Sequence, residues 1–269
     1  MRINTNLNAM IATNQMSKNT ALAGASMEKL STGLRITKAG DDAAGLAVSE
    51  NMRAQIRGME QAERNVQDGI SMVQTAEGAL EEAGNIAQRM RELGIQAGND
   101  TLSAEDRAKV KEELTQLQDE MKKISEETKF NGKQLLNTTG TFTIQAGANS
   151  ETRTVKTADL SSIAKSLSLT SNIATSSDAQ SFVTKIDTAL TSITAARSAL
   201  GAMQNRLEYT ANNLTTSTEN LTAAESRIRD VDVAKEMVTL SKLNILNQAS
   251  QAMVSQAKQQ PESVSQLLR

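Results

Sequence analysis

Carboxylates are the side chains in this sequence that could take part in catalysis, and several of them occur as adjacent pairs. These pairs are Glu81-Glu82, Glu112-Glu113 and Glu126-Glu127. A general acid and a general base must converge on one substrate. Neighbouring residues of a helix, however, point about 100° apart. The pairs therefore indicate solvated helix faces rather than an acid–base dyad.

The chain lacks the residues that most often carry nucleophilic and metal chemistry. It contains no His and no Cys, so it has no imidazole base, no disulfide and no thiolate zinc site. The glycines between Gly40 and Gly45 are not followed by Gly-Lys-Ser/Thr, so they do not form a phosphate-binding loop. We expect a protein that is not an enzyme and that uses no cofactor and no metal.

Charge and hydropathy exclude two further classes of partner. With 29 basic and 31 acidic residues the net charge is −2, whereas nucleic-acid binding needs a concentrated positive face. No segment approaches the ~20 apolar residues of a membrane span, and Lys-rich faces with interfacial aromatics are absent. The first residues, MRINTNLNAM, contain no apolar core of signal-peptide length. We expect no nucleic-acid partner, no membrane insertion and no removable leader.

The elements that position these side chains are helices, and the longest is marked by strict heptads. Its large apolar residues are Ile186, Ile193, Leu200, Leu207, Leu214, Leu221 and Ile228, with mostly small residues three places after each. Unbroken heptads predict one long helix, from about Phe182 to Val231, that packs as a coiled coil. Because such a rod buries only one seam, it needs other helices along its length.

Apolar residues at steps of three and four predict the other helices. One runs from about Ile3 to Leu34, and a second runs from Ala43 to the break at Gly98-Asn99-Asp100, with Asp41 or Asp42 as its cap. Gly69, Gly78, Gly84 and Gly94 lie inside this second helix and indicate close approach by a neighbour. A third helix starts at a capping-box variant formed by Ser103 and Asp106. A last helix carries Val238 to Ala257 and is predicted to end at Pro261.

Strand signals are confined to a short stretch. Phe130-Asn131-Gly132 predicts a turn, and alternation on both sides of Gly147 to Ser150 predicts a β-hairpin near 141–156. The Ser/Thr-rich segment from Thr157 to Ser181 indicates loop and short helix. The predicted fold is mainly α: a long-helix coiled-coil bundle with one small β-hairpin and paired N- and C-terminal helices. Residues 1–42 with 229–269 form the predicted terminal helical-pair domain, and residues 43–228 form the bundle domain.

Long stretches of the chain closely resemble bacterial flagellin. They are MEKLSTGLRITKAGDDAAGLAVSENMRAQIRGMEQAERNVQDGISMVQTAEGALEEAGNIAQRMRELGIQA at 27–97, KFNGKQLLN at 129–137 and SRIRDVDVAKEMVTLSKLNILNQASQAMVSQAKQQPESVSQLLR at 226–269. Only about Gly140 to Ser181 lies where many flagellins carry large variable domains, so the resemblance is to a short form. It implies a structural subunit that self-assembles into the hollow helical flagellar filament for swimming motility. The alternative is a filament-junction or capping protein, which shares the terminal helices.

The resemblance also implies partners and a location. The partners are further copies of the chain in a helical homopolymer, the flagellar type III export apparatus, an export chaperone, and junction and cap proteins. The location is the secreted, extracellular filament. In some flagellins, motif positions that correspond to Arg89, Leu93 and Glu113 engage the animal Toll-like receptor 5. The alternative is that these three residues serve only packing and subunit contacts.

The terminal apolar stripes allow two interpretations, a core within one chain or surfaces that stay uncovered until neighbours arrive. The resemblance favours the second, with residues before Asp42 and after Arg229 disordered in the monomer. The residues predicted to pack the filament core are Ile3, Leu7, Met10, Leu243, Leu246 and Met253. For the Ser/Thr-rich region from Thr138 to Ser177, O-glycosylation and an undecorated loop remain equal alternatives.

Overall fold

A computed structural model describes residues 6–168 and 173–267, with side chains described over 6–167 and 173–259. The described elements are α1 (Leu7–Thr32), α2 (Ala43–Ala97), α3 (Ala104–Glu127), β1 (Lys129–Phe130), β2 (Lys133–Gln134), β3 (Thr141–Gln145), β4 (Thr152–Lys156), α4 (Leu160–Ser168), α5 (Ser176–Arg229) and α6 (Val233–Leu267). The predicted fold class, mainly α with long helices, is confirmed. Across the described ranges, no helix combines the length and apolar composition needed to cross a membrane.

The chain divides into two compact units, each described here by itself. The terminal unit comprises residues 1–54 and 220–269, and the central unit comprises residues 55–219. The helices α2 and α5 contribute residues to both units. The predicted domain division at residues 42 and 229 concerns the layers of a filament, which a single chain does not show, so it stays a prediction.

The end of α1 and the start of α2 follow from local backbone conformation and hydrogen bonding. Gly33 ends α1 with φ of 72°, the left-handed conformation that glycine adopts most readily. Asp42 caps α2, because its Oδ1 accepts a hydrogen bond from the Gly45 N–H at 2.8 Å. Asp41 instead closes the preceding turn, and its Oδ2 accepts from the backbone N–H groups of Thr37 and Lys38. These bonds hold the pKa of the Asp41 carboxyl below its usual value, with the Thr37 N–H as the largest cause.

The core of the central unit lies along the seam between α2 and α5. The heptad residues Ile186, Ile193, Leu200, Leu207 and Leu214 are all buried. The buried residues of α2 in this unit include Val66, Val73, Ala76, Leu80, Ala83, Ala87, Met90 and Leu93. Arg91 Nε lies 2.7 Å from Asp187 Oδ1 and tethers the two helices at the edge of the seam. The predicted long helix is confirmed, and it begins six residues earlier than the heptads indicate.

Of the four α2 glycines that the sequence singled out, two lie against neighbours, as predicted. A Cβ added at Gly69 would clash with Ile144 Cδ1, and one added at Gly94 would lie 3.0 Å from Val183 Cγ2. Gly84 leaves room for an ordinary contact at 3.8 Å. The prediction is wrong for Gly78, where nothing lies within 4 Å. Composition alone does not distinguish a glycine that is needed from one that is merely tolerated.

The predicted β-hairpin is present, and a second hairpin accompanies it. In the first, β3 pairs antiparallel with β4 from Thr141↔Lys156 to Gln145↔Thr152. In the second, β1 pairs with β2 across Asn131 and Gly132, whose φ values are 47° and 76°. Two positive φ values suit a tight hairpin turn. The sequence predicted only a turn at this second hairpin, because strands of two residues are too short to show alternation.

The predicted end of the last helix at Pro261 is wrong, since α6 continues to Leu267. Proline has no N–H, so the Ala257 carbonyl four residues earlier loses its helical donor. The side-chain Nδ2 of Asn6 donates to this carbonyl at 2.6 Å. A hydrogen bond from the other end of the chain therefore satisfies the acceptor that the proline leaves open.

Candidate assembly surface on the terminal helices

The helices α1 and α6 pack against each other in the terminal unit, as the predicted pairing of the chain ends requires. Thr20 Oγ1 lies 3.4 Å from Asn247 Oδ1. Ser26 Oγ donates to the Glu236 carboxylate. Together with the bond from Asn6 to Ala257, these contacts advance along α1 while they retreat along α6, so the pair is antiparallel.

The seam inside this pair is made largely of small and polar residues. The buried residues of α1 are Asn19, Ala23 and Ser26. On α6, Leu243 and Ser250 are buried. A groove of about 320 Å³ remains between the two helices and is lined by Asn8, Ile11, Ala12, Gln15, Ser250, Met253 and Ala257. Such a seam removes little apolar surface from water within one chain.

Most of the large apolar residues of both helices lie outside the seam. More than half of each of these α1 side chains is exposed: Leu7, Met10, Ile11, Leu22 and Met27. The same holds on α6 for Val233, Met237, Val238, Ile245 and Met253, and Leu246 is 38% exposed. An extended apolar surface of this kind marks an interaction site. We call these eleven residues the terminal apolar surface.

The residues predicted to pack a filament core fall into three groups. Leu7, Met10, Leu246 and Met253 belong to the terminal apolar surface. Leu243 lies in the seam and is 8% exposed. Ile3 lies outside the described residues. The sequence stripes did not show which face each helix turns toward the other; the small residues at Asn19, Ala23 and Ser26, spaced four and three apart, were the available signal.

A cluster of hydrogen bonds fixes the base of the terminal pair. The Arg35 N–H donates to the Arg229 carbonyl at 2.6 Å, and the Val231 N–H donates to the Gly33 carbonyl at 3.0 Å. Arg229 Nη1 lies 2.6 Å from Glu50 Oε1. The hydrogen bond from Arg229 is the main reason that the pKa of the Glu50 carboxyl lies below its usual value. The breaks before α2 and after α5 are thus joined to each other within the terminal unit.

The central unit brings together two of the three predicted receptor-binding residues at its surface. Arg89 Nη2 on α2 lies 2.9 Å from Glu113 Oε1 on α3, and both side chains are about half exposed. Arg89 also pairs with Glu92, and the two carboxylates, Glu113 first, raise the pKa of the guanidinium. Leu93 is only 2% exposed and packs in the core. Glu92 was missed by the sequence analysis, although its spacing from Arg89 is that of a helical ion pair.

The carboxylate pairs do not build a catalytic site. Glu82, Glu112, Glu126 and Glu127 are exposed, and Glu81 lies 3.7 Å from Arg197. Within the part of the chain that the structure describes, no group of three or more potential acidic metal ligands converges. The arrangement is that of solvated helix faces.

Comparison with known proteins identifies the family. The model of the bacterial flagellin N-terminal helical region matches residues 3–141, and that of the C-terminal helical region matches residues 183–268. A flagellin of Halalkalibacterium halodurans is 54% identical over the full length of both chains. The chain belongs to the bacterial flagellin family. A flagellin of Bacillus subtilis is 48% identical over the full length of both chains. The crystal structure of Bacillus cereus flagellin is 36% identical and covers 60% of this chain and 94% of its own, with a TM-score of 0.52.

This flagellin is therefore a structural subunit of the bacterial flagellar filament and serves motility, and it is not an enzyme. Its relatives form the extracellular filament. The match over the full length of curated flagellins favours a filament subunit over the alternative of a junction or capping protein. Self-assembly into a filament follows from the family.

Proposed function

We propose that α1 and α6 of this flagellin complete their folding only when neighbouring copies cover the terminal apolar surface. The observation that carries this proposal is the inverted packing of the pair, which buries small and polar residues and exposes large apolar ones. In a self-sufficient helical pair the large residues would occupy the seam.

The energetics support the same view. Ordering a helix costs about 1–2 kcal/mol of backbone entropy per residue. Burying a Leu, Ile or Met side chain fully contributes roughly 1.5–3 kcal/mol. Among the residues whose side chains the structure describes, the seam buries one large apolar residue, Leu243, so most of the available stabilisation requires other chains. Coupling of ordering to assembly is the expected consequence.

The arrangement of copies follows from the type of contact. A surface that binds a different surface on the next copy, without closing into a ring, generates an open helical filament. We place the terminal pair, residues 1–42 with 229–269, in the inner tube of this filament and the bundle, residues 43–228, outside it. In this arrangement Leu7, Met10, Leu246 and Met253 pack between copies, while Leu243 holds α6 to α1.

The test is seeded elongation with two matched variants of α6. Ile245→Gln removes a side chain that is 63% exposed, so it costs the single chain little and should block elongation from filament fragments. Lys242→Gln changes an exposed polar residue one turn away and should elongate like the wild type. Equal elongation of Ile245→Gln and the wild type would contradict the proposal.

Export and its partners form a second part of the proposal. This flagellin would leave the cell as an unfolded chain through the flagellar type III apparatus, with an export chaperone, and would join a filament bounded by junction and cap proteins. The absence of Cys and the single proline suit a chain that is threaded and then refolds. Cells whose flagellar export apparatus is inactive should then release no flagellin into the medium. Unchanged release would reject this route.

The exposed Arg89–Glu113 pair supports recognition by the animal Toll-like receptor 5. The pair presents charge on the surface of the central unit, and Leu93, one turn further along the same helix, is buried. In a receptor reporter assay with monomer, Arg89→Ala should lower the signal. Arg91→Ala is the matched control, since Arg91 lies on the same helix with similar exposure and pairs with Asp187 instead. Equal signals from Arg89→Ala and the wild type would reject the recognition and leave the residues to subunit contacts.

A further inference from the structure

The methionines of this flagellin are divided between the two units by exposure. The core methionines of the central unit are Met59, Met72, Met90 and Met121, all buried. The terminal methionines are Met10, Met27, Met237 and Met253, each more than half exposed and each part of the terminal apolar surface. Met16, Met52 and Met203 are half-buried. Among the described residues, the strongly exposed methionines thus all lie where assembly is proposed to occur.

We propose that the terminal methionines are a reversible modification site at which peroxide oxidation blocks assembly. A hydroperoxide transfers one oxygen atom to the thioether sulfur, so the sulfur loses two electrons and hydrogen peroxide is reduced to water. The product, methionine sulfoxide, is polar and is reduced back by methionine sulfoxide reductases. This inference rests on the proposed assembly role of the terminal apolar surface.

Exposure sets which methionines react first. Oxidation of sulfur requires contact with the oxidant, so susceptibility follows exposure. Met90 and Met121 are fully enclosed, whereas Met253 is 66% exposed. In a filament the terminal methionines would be covered by neighbouring copies. Free subunits are therefore sensitive to peroxide and assembled subunits are protected.

Oxidation changes the surface in the sense that opposes assembly. Each terminal methionine contributes apolar area to contacts between copies, and methionine is valued there because its chain adapts to irregular gaps. A sulfoxide oxygen buried without a hydrogen-bond donor carries a desolvation penalty. The sulfoxides leave the core of the central unit unchanged, so a modified subunit stays folded there and fails only at the filament end.

The experiment treats purified full-length monomer with dilute hydrogen peroxide and follows each methionine by peptide mass spectrometry. The terminal methionines should gain about 16 Da each before the core methionines do. Seeded elongation is then measured for untreated, oxidised and reductase-treated protein. A non-oxidisable variant carries Met10→Leu, Met27→Leu, Met237→Leu and Met253→Leu, which keep volume and apolar character.

We expect the critical concentration for elongation to be about tenfold or more higher for oxidised than for untreated wild type. We expect the reductases to reverse this rise. We expect the Leu variant to elongate equally well before and after peroxide treatment. The proposal is overturned if oxidised wild type elongates like untreated wild type. It is also overturned if peroxide raises the critical concentration of the Leu variant as much as that of the wild type. If the Leu variant does not elongate at all, the test is the reductase treatment of oxidised wild type. Failure of the reductases to restore its elongation then overturns the proposal. Failure of untreated wild type to elongate would instead defeat the assembly proposal itself.

Discussion

The bond between Asn6 and Ala257 leads to a prediction that can be tested through two residues far apart in sequence. Asn6 uses both ends of its amide: Oδ1 accepts from the Ala9 N–H and caps α1, while Nδ2 donates to the Ala257 carbonyl. That carbonyl depends on Asn6 because Pro261 has no N–H to offer. Asn6→Ser retains a capping oxygen but cannot reach the carbonyl with an amide. It should therefore weaken the pairing of α1 with α6.

The magnitude follows from the partly exposed geometry of this bond. A hydrogen bond of this kind contributes about 0.5–1.5 kcal/mol net. A loss of about 1 kcal/mol corresponds to roughly a fivefold change in an equilibrium constant, here the critical concentration for elongation. Pro261→Ala provides the intrahelical N–H and also removes a helix penalty of up to about 3 kcal/mol. Asn6→Ser should therefore cost much less in the Pro261→Ala background.

The assay is a double-mutant cycle on the critical concentration of seeded elongation. Asn8→Ser is the matched control, since Asn8 is exposed in the first turn of the same helix. We expect a roughly fivefold rise for Asn6→Ser in the wild-type background and less than about twofold in the Pro261→Ala background. Equal effects of Asn6→Ser in the two backgrounds, or equal effects of Asn6→Ser and Asn8→Ser, would refute the reasoning.

Two further predictions concern charge and packing. Because Arg229 lowers the pKa of Glu50, the stabilisation from this pair is present above the usual glutamate value of 4.5 and is lost as the pH falls through the lowered pKa. Glu50→Gln should therefore remove this part of the acid dependence of the terminal unit in filament-melting curves. An unchanged pH profile of melting would contradict the assignment. Gly58→Ala would place its Cβ 2.9 Å from Ala148 Cβ and 3.1 Å from its Cα, so it should destabilise the central unit by about 1–3 kcal/mol. Gly78→Ala, in the same helix with open space around it, should instead stabilise by up to about 1 kcal/mol; thermal unfolding that gave both variants the same sign would contradict the packing.

Much of this fold could be predicted because helix breaks are local. Asp42 and Ser103 cap helices through atoms three residues away, so the sequence around them carries the whole signal. The heptads of α5 likewise repeat often enough to indicate its buried face and most of its extent, although the helix begins six residues before them.

The features that the sequence analysis missed depend on contacts between distant segments. Pro261 was predicted to end α6, and its tolerance depends on Asn6, 251 positions earlier. The sequence also did not show which faces of α1 and α6 are exposed in the single chain. An apolar stripe shows that a residue will be covered, but it does not show whether the same chain or another one covers it. The receptor-binding prediction was limited in the same way, since the resemblance named Leu93 together with Arg89 without showing that Leu93 is buried.

The measurement that tests the central claim most directly is hydrogen exchange of α1 and α6 in monomer and in filament. The terminal apolar surface should be covered only by neighbouring copies, so we expect weak amide protection of both helices in the monomer and strong protection in the filament. The buried α2–α5 seam of the central unit should be protected in both states and serves as the internal reference. Equal and strong protection of α1 and α6 in the monomer would contradict the account.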